Sequence, residues 1–338
     1  MRLLLIKTSS MGDLIHTFPA LTDAGIAIPD LKVDWVVEES FSEIPGWHPL
    51  VHNVIPVALR RWRKNVFSSQ TRREWKTLRQ RLQEHHYDLV LDAQGLTKSA
   101  LVSCFTRGIR AGLDFHSARE ALASFVYQRK YSVNFYQHAV VRMRSLFSQA
   151  LQYDLPQTSP NFDLDRAQFV HENNQPPYVV FLHGTTWKSK QWPELYWLQL
   201  ADLAANAGYR IKVSGGNDEE VARAERLAQH NSMVDAMPRL DILSMAKLLA
   251  NAKAAIAVDT GFGHIAAALG VPTVSIYGST NPEYTGALGS SSIHLSAAFS
   301  CAPCLKRECT YRGTSVVTPA CYATISPARV WQVVDSLF

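Results

Sequence analysis

No stretch of this chain approaches the roughly 20 consecutive apolar residues that a membrane-crossing helix requires. The start is apolar only from Leu3 to Ile6 before Lys7 interrupts it, too short a run for a secretion signal. The expectation is a cytoplasmic protein. Cysteine is scarce: five in 338 residues, with Cys104 alone and Cys301, Cys304, Cys309 and Cys321 crowded together. In a cytosolic chain that pattern reads as reduced thiol or metal ligand rather than a disulfide framework. Low-complexity tracts are missing, and no convincing internal repeat is present. Charged residues make up 19% of the chain and apolar ones 47%, which excludes a disordered polyelectrolyte.

What the chain does have is an uneven charge. Its net +5 is concentrated in residues 1–160, where 20 Lys/Arg oppose 14 Asp/Glu for a net of +6. Residues 161–338 carry 14 against 15, a net of −1. An anionic partner is therefore expected for the first half. Nucleic acid is not that partner, because the basic run has no recognisable binding fold around it and the second half is not basic.

Length favours two domains. Strands are expected at 2–7, 33–37, 54–57 and 89–91, with helices at 14–27, 71–86 and 136–153. The stretch from Asp154 to Pro177 carries four prolines and little periodicity, and reads as a linker. A second alternating series follows, with strands at 178–182, 209–213, 254–258 and 273–277. Helices are expected at 193–207, 219–229, 242–252, 263–269 and 326–338. The fold class is α/β: two Rossmann-like doubly wound domains, 1–160 and 161–338, facing a central cleft, with a C-terminal helix that could pack back on the first domain.

Several strand ends carry chemistry. Lys7-Thr8-Ser9-Ser10-Met11-Gly12-Asp13 places a carboxylate at a helix mouth, suited to a general base or, more plainly, to helix capping. His183-Gly184-Thr185-Thr186, with Lys188 and Lys190 beyond, suits a phosphate held and neutralised as it departs. Gly215 to Glu220 sets acids where a ribose could be gripped, or where they simply serve the helix dipole. Val258-Asp259-Thr260-Gly261-Phe262-Gly263-His264 is a strand, a tight turn and a helix start, the form that presents backbone N–H groups to an anion such as a diphosphate. Arg60-Arg61-Trp62-Arg63-Lys64 is the densest basic run. Asp92-Ala93-Gln94-Gly95 with Lys98, and Ser117 to Glu120, end further first-half segments. The four clustered cysteines read C-x2-C-x4-C-x11-C, which is not a two-knuckle metal spacing. A thiol-rich loop and no metal site is the expectation.

Together these motifs resemble the lipopolysaccharide heptosyltransferases, inverting glycosyltransferases that use ADP-heptose. The likeness runs through nearly the whole chain: K-T-S-S-M-G-D with His16, R-R-W-R-K, D-A-Q-G-L, H-x-T-T with K-x-W-P-E, and V-D-T-G-x-x-H. Trp35 to Glu39 and the basic run are most similar to the members that add the first heptose to Kdo. The cysteine-rich segment is more similar to second-heptose members, so plain Kdo, phosphorylated Kdo or an existing heptose all stay open as acceptor.

The resemblance implies a GT-B fold, with acceptor on the first domain and nucleotide sugar on the second. It implies Asp13 as base, and Thr185, Thr186 and Lys190 on the donor phosphates. Glu220, or its neighbour Glu219, would bind the ribose. Asp259, Thr260, Gly261 and His264 would lie near the diphosphate. Ser10, Arg60, Arg61, Arg63, Lys64, Lys98 and Arg119 would gather the acceptor. No cofactor is implied. The partners would be ADP-heptose, Kdo-lipid A and the anionic cytoplasmic face of the inner membrane, on which the protein would be peripheral. A non-catalytic nucleotide-sugar-binding protein of the same shape, and a transferase for a UDP- or GDP-sugar, are the competing readings.

Overall fold

Strands apolar on both sides demand cover on both faces of their sheet. The computed structural model, which describes residues 1–170 and 176–338, supplies that cover with helices in two compact units, Met1–Leu164 and Asp165–Phe338. In the first unit β1 (Arg2–Ile6) leads through α1 (Met11–Ile15) and α2 (Phe18–Ala27) to β2 (Lys32–Glu38) and β3 (Val51–Val57). Then come α3 (Leu59–Trp62), α4 (Ser69–Gln83), β4 (Tyr87–Asp92), α5 (Thr97–Ser103), β5 (Gly108–Leu113), β6 (Arg129–Tyr131) and α6 (Ala139–Leu151). All six strands are parallel in the order β3-β2-β1-β4-β5-β6. Leu3, Leu4, Leu5 and Ile6 of the central strand are completely buried.

The second unit repeats the plan. It runs β7 (Tyr178–Leu182), α7 (Glu194–Asn206), β8 (Arg210–Val213), α8 (Asp218–His230), β9 (Val234–Ala236), α9 (Ile242–Ala250) and β10 (Ala254–Val258). It closes with α10 (Gly261–Ala268), β11 (Thr273–Tyr277), α11 (Pro282–Thr285), β12 (Ser292–Ser296) and α12 (Pro327–Asp335). Its parallel order is β9-β8-β7-β10-β11-β12. In both sheets the winding reverses once, between β1 and β4 and between β7 and β10. Ligands of doubly wound sheets bind beyond the carboxyl ends of the strands at that reversal. The final helix packs against α7 and β11, sending Val330 and Val334 into a core that holds Trp192, Trp197 and Tyr322.

Departures from the sequence reading have local causes. The helix expected over 14–27 is two, α1 and α2, because Pro19 has no N–H to continue the ladder across Thr17. The helix expected from 136 begins at Ala139, where the His138 ring accepts the Val140 N–H as a cap. The elements β5, β6, β9, β12 and α5 were not foreseen. Strands β6, β9 and β12 are sheet edges, short or polar, so no buried run announces them. Between Asp154 and Pro177 the described residues hold only a short 3-10 turn at Arg166–Gln168, and the linker reading at 171–175 lies outside the described residues.

One buried ion pair ties α2 to α6: Arg144 Nε lies 2.6 Å from Asp23 Oδ2, both side chains 7% exposed, and Arg144 also donates to the Thr158 carbonyl. Removing one partner strands the other charge in a dry site, which costs about 3 kcal/mol or more. Asp23→Ala is therefore expected to lower unfolding stability by about that amount in urea titrations. A loss under about 1 kcal/mol would mean the pair is solvated.

Candidate functional site

At the winding reversal of the second unit, Thr185 Oγ1 donates to the Asp259 carbonyl at 3.0 Å, joining the loop after β7 to the end of β10. The Asp259 side chain, 9% exposed, meets Lys190 Nζ at 2.7 Å, and Thr280 Oγ1 donates to the same Oδ2 at 2.7 Å. The Lys190 ammonium also lies 4.6 Å from the centre of the Trp187 ring. The helix α10 starts two residues after Asp259, with Thr260 as its extended N-cap and Gly261 first in the helix. Its first-turn amides therefore open beside the ion pair, where an anion is favoured. His264 is buried one turn further along, while Thr186 is exposed at the loop surface.

The acids at the start of α8 divide. Asp218 and Glu219 face outward, Glu219 pairing with Arg223 at 3.3 Å while 69% exposed, and Asp218 pairing with Arg239. Glu220 turns inward, 9% exposed, and its Oε2 accepts the Gly216 N–H at 2.8 Å. A Cβ at Gly184 would sit 2.7 Å from the Glu220 carboxyl, so only glycine lets that carboxylate reach the end of β7. This geometry separates Glu220 from Glu219, which the sequence left undecided.

The thiol-rich loop lies against the same turn. Cys301, Cys304, Cys309 and Cys321 line one cavity of about 390 Å³ together with Ser189 and Ser279. Burial, and then the other three thiols, push Cys321 up to about 11. Among the described residues no group of three or more His, Cys, Asp or Glu stands close enough to hold a metal ion. What the loop does is brace Lys190. The Ser189 N–H donates to the Arg307 carbonyl, Ser189 Oγ to the Lys306 carbonyl and to Ser279 Oγ, and the Tyr322 hydroxyl to the Lys190 carbonyl.

In the first unit the loop after β1 folds over the loop after β4. Gln94 Oε1 accepts the N–H groups of Thr8 and Ser9, and buried Lys7 donates from Nζ to the Ala93 carbonyl at 2.9 Å. Asp92 is fully buried and receives the Tyr127 hydroxyl and the Gln94 N–H, so Asp92 and Gln94 are fasteners of the loop. Asp13 stands in the first turn of α1, its Oδ2 accepting both the N–H and the Oγ–H of Ser10 at 2.7 and 2.9 Å. Asp13 is therefore not the N-cap of a helix beginning at Leu14: Ser10 is the N-cap of α1 and Asp13 its third residue, and the contact back to Ser10 occupies one of its two oxygens. Burial lowers Lys7 below the usual lysine range, against the pull of Asp13 and then Asp92. Arg142 on α6 is likewise lowered by burial and raised by Asp13, with its guanidinium 4.6 Å from the Phe135 ring centre. Neither cation was singled out from sequence.

The basic run splits by function. Trp62 is buried and donates to Glu74 at 2.6 Å. Arg61 forks onto both Glu39 and Glu74, which clamps α3 to α4 and raises its own pKa, mainly through Glu39. Glu74 is held down at about 2, first by the Trp62 N–H. Arg60 lies over the Phe41 ring, and Arg63 and Lys64 are exposed beyond α3. Lys98 and Arg119 are exposed on two segments zipped together by Glu120, whose N–H reaches the Gly95 carbonyl and whose Oε2 accepts the Thr97 N–H.

The chain is similar to known proteins in sequence and in fold. Residues 75–314 match the model of glycosyltransferase family 9 (heptosyltransferase). Lipopolysaccharide heptosyltransferase 1 of Pseudomonas aeruginosa is 52% identical over 98% of this chain and 96% of its own length. The solved structure of Escherichia coli heptosyltransferase WaaC with ADP superposes with a TM-score of 0.89 at 41% identity, covering 100% of both chains. The same E. coli protein with ADP-2-deoxy-2-fluoro heptose gives 0.85 at 40%, covering 99% of both.

Two buried histidines set the acid side of stability. Burial and Arg223 lower His183, at the end of β7, to about 4, and burial lowers His48 to about 4. Between pH about 6.5 and 4 the unfolded chain takes up these protons and the folded chain does not. Stability is then complete above about pH 6.5 and falls as pH drops towards 4, by roughly 2–3 kcal/mol for each ring. Denaturant titrations across that range check it, and His48→Gln should remove part of the slope. A flat profile would contradict it.

Proposed function

Because this chain belongs to glycosyltransferase family 9, the heptosyltransferases, we propose that it moves L-glycero-D-manno-heptose from ADP-heptose to a Kdo residue of the lipopolysaccharide inner core, with inversion. The observation that carries this reading is the convergence of Lys190, Asp259, Thr185 and Glu220 on the winding reversal of the second sheet. A nucleoside diphosphate needs that combination: a carboxylate for the ribose hydroxyls, and an ammonium with first-turn amides for the phosphates. The first-heptose acceptor is favoured because the 52% relative bears the name heptosyltransferase 1. The cysteine loop, the feature that pointed to second-heptose members, packs on Lys190 and bears on donor geometry alone.

In the proposed reaction Asp13 takes the proton of the acceptor hydroxyl through the carboxylate oxygen that Ser10 leaves open. The hydroxyl oxygen attacks the anomeric carbon in line, and the carbon–oxygen bond to the phosphate breaks with its electron pair leaving on ADP. Lys190 and the start of α10 stabilise that developing charge. Thr186 and His264 complete the donor surroundings. Ser10, Arg60, Arg63, Lys64, Lys98 and Arg119 draw in the anionic acceptor, while Arg61 serves them by holding α3 in place. Family membership argues against the non-catalytic alternative. No helix among the described residues is long and apolar enough to cross a membrane, so the lipid-borne acceptor would be met from the membrane surface on the cytoplasmic side.

A product assay tests this. ADP-heptose with Kdo-lipid A should yield ADP and heptosylated Kdo, and Asp13→Asn should lower kcat about a thousandfold with ADP affinity unchanged. Preference for an already heptosylated acceptor would overturn the first-heptose reading, and full turnover by Asp13→Asn would remove Asp13 from the chemistry.

A further inference from the structure

Beyond β5 the first unit turns its apolar side chains the wrong way round for a core. The 3-10 turn at Ala121–Val126 packs on α5 through small or tucked-in residues, Ala100, Ala123 and Tyr127. Its large side chains point outward, with Leu122 66% and Phe125 69% exposed. They are three residues apart, and in a 3-10 turn positions i and i+3 eclipse, so the two form one ridge. Phe115, half exposed, extends the ridge with its ring 6.1 Å from that of Phe125. A cation borders it. Lys130 Nζ lies 5.8 Å from the Phe125 ring centre, while Arg129, the residue before it on β6, belongs to the opposite face of the sheet. Two carboxylates lie nearby, Asp114 accepting the N–H groups of His116 and Ser117 and Glu120 that of Thr97, and both keep their charge, Glu120 beside the cations Lys98 and Arg119.

We propose that this ridge is the membrane-docking surface of the protein, with Leu122, Phe125 and Phe115 entering the headgroup region of an anionic bilayer and Lys130 pairing with one of its phosphates. The proposal rests on the lipid-borne acceptor of the proposed function. Apolar and aromatic side chains set among cations are what an anionic bilayer surface attracts. Lysine stacked on the central aromatic fits a lipid interface and not a protein one, since lysine is depleted from the cores of protein interfaces. The ridge also continues directly, through Glu120 and Thr97, into the segments that carry Arg119 and Lys98. Docking here would present those acceptor-gathering cations at the headgroup level, where the sugar of a lipid-anchored acceptor lies.

Co-sedimentation with vesicles of equimolar phosphatidylglycerol and phosphatidylethanolamine tests it, with phosphatidylcholine vesicles as the neutral control. Wild type should bind the anionic vesicles, and bind them more weakly as salt rises. Leu122→Glu/Phe125→Glu and, separately, Lys130→Glu should each reduce the bound fraction, the first about tenfold and the second several-fold. Both variants should keep the wild-type unfolding midpoint and full transfer to a water-soluble, deacylated Kdo acceptor. Binding unchanged in both variants would overturn the proposal. So would equal, salt-insensitive binding to neutral vesicles, or a ridge variant that only converts a dimer to a monomer. Failure of wild type to act on the soluble acceptor would instead count against the proposed reaction, leaving the vesicle result to stand by itself.

Discussion

The pairing of Lys190 with Asp259 is the interaction on which the chemistry proposed for the second unit turns. An ammonium and a carboxylate only 16% and 9% exposed lose much of their hydration, and such a pair persists only where other groups complete its hydrogen bonding. Thr280 does so on the carboxylate, and the Trp187 ring covers the ammonium. The Lys190 backbone is tied in turn to Tyr322, and its neighbour Ser189 to the loop that holds the cysteines. That dense bracing gives the loop a role in holding Lys190 in place.

The two units share one topology and set different groups at its reversal. Each opens a loop at the same place, where the winding of its sheet reverses. In the second unit that place gathers a cation, an exposed hydroxyl and a carboxylate, fitting a nucleotide. In the first it holds Asp13 above a buried lysine, with Arg142 close enough to feel the same carboxylate. The excess positive charge of the first unit is also sorted. Arg61 and Arg144 hold helices together, Lys7 sits inside a loop, and Arg63, Lys64, Lys98, Arg119 and Lys130 face solvent.

Much of this was legible in the sequence because buried parallel strands are written as short apolar runs. Tyr178–Leu182, Ala254–Val258 and Thr273–Tyr277 could be bounded to the residue. The edge strands could not, since Arg129–Tyr131 and Val234–Ala236 are too short and too polar to differ from loop. Strand-end motifs marked the segments from which the proposed site is built, but not which of their side chains turn inward. Helical spacing puts Glu220 in phase with the buried Ala224 and Leu227, but it does not say that the carboxylate finds room there, which depends on the absence of a side chain at Gly184 in the loop after β7. The same holds for Arg61, whose neighbours Arg60 and Arg63 look identical in sequence. Its role depends on Glu39 and Glu74, carboxylates brought to it by the fold.

The central claim is that the Lys190–Asp259 junction is the diphosphate subsite. Calorimetric titration of ADP and AMP into wild type and Lys190→Met tests it most directly. The account predicts ADP affinity at least about tenfold weaker in the variant, with AMP much less affected, since a charged hydrogen bond to the second phosphate is what is lost. Equal affinity of wild type and Lys190→Met for ADP would contradict it.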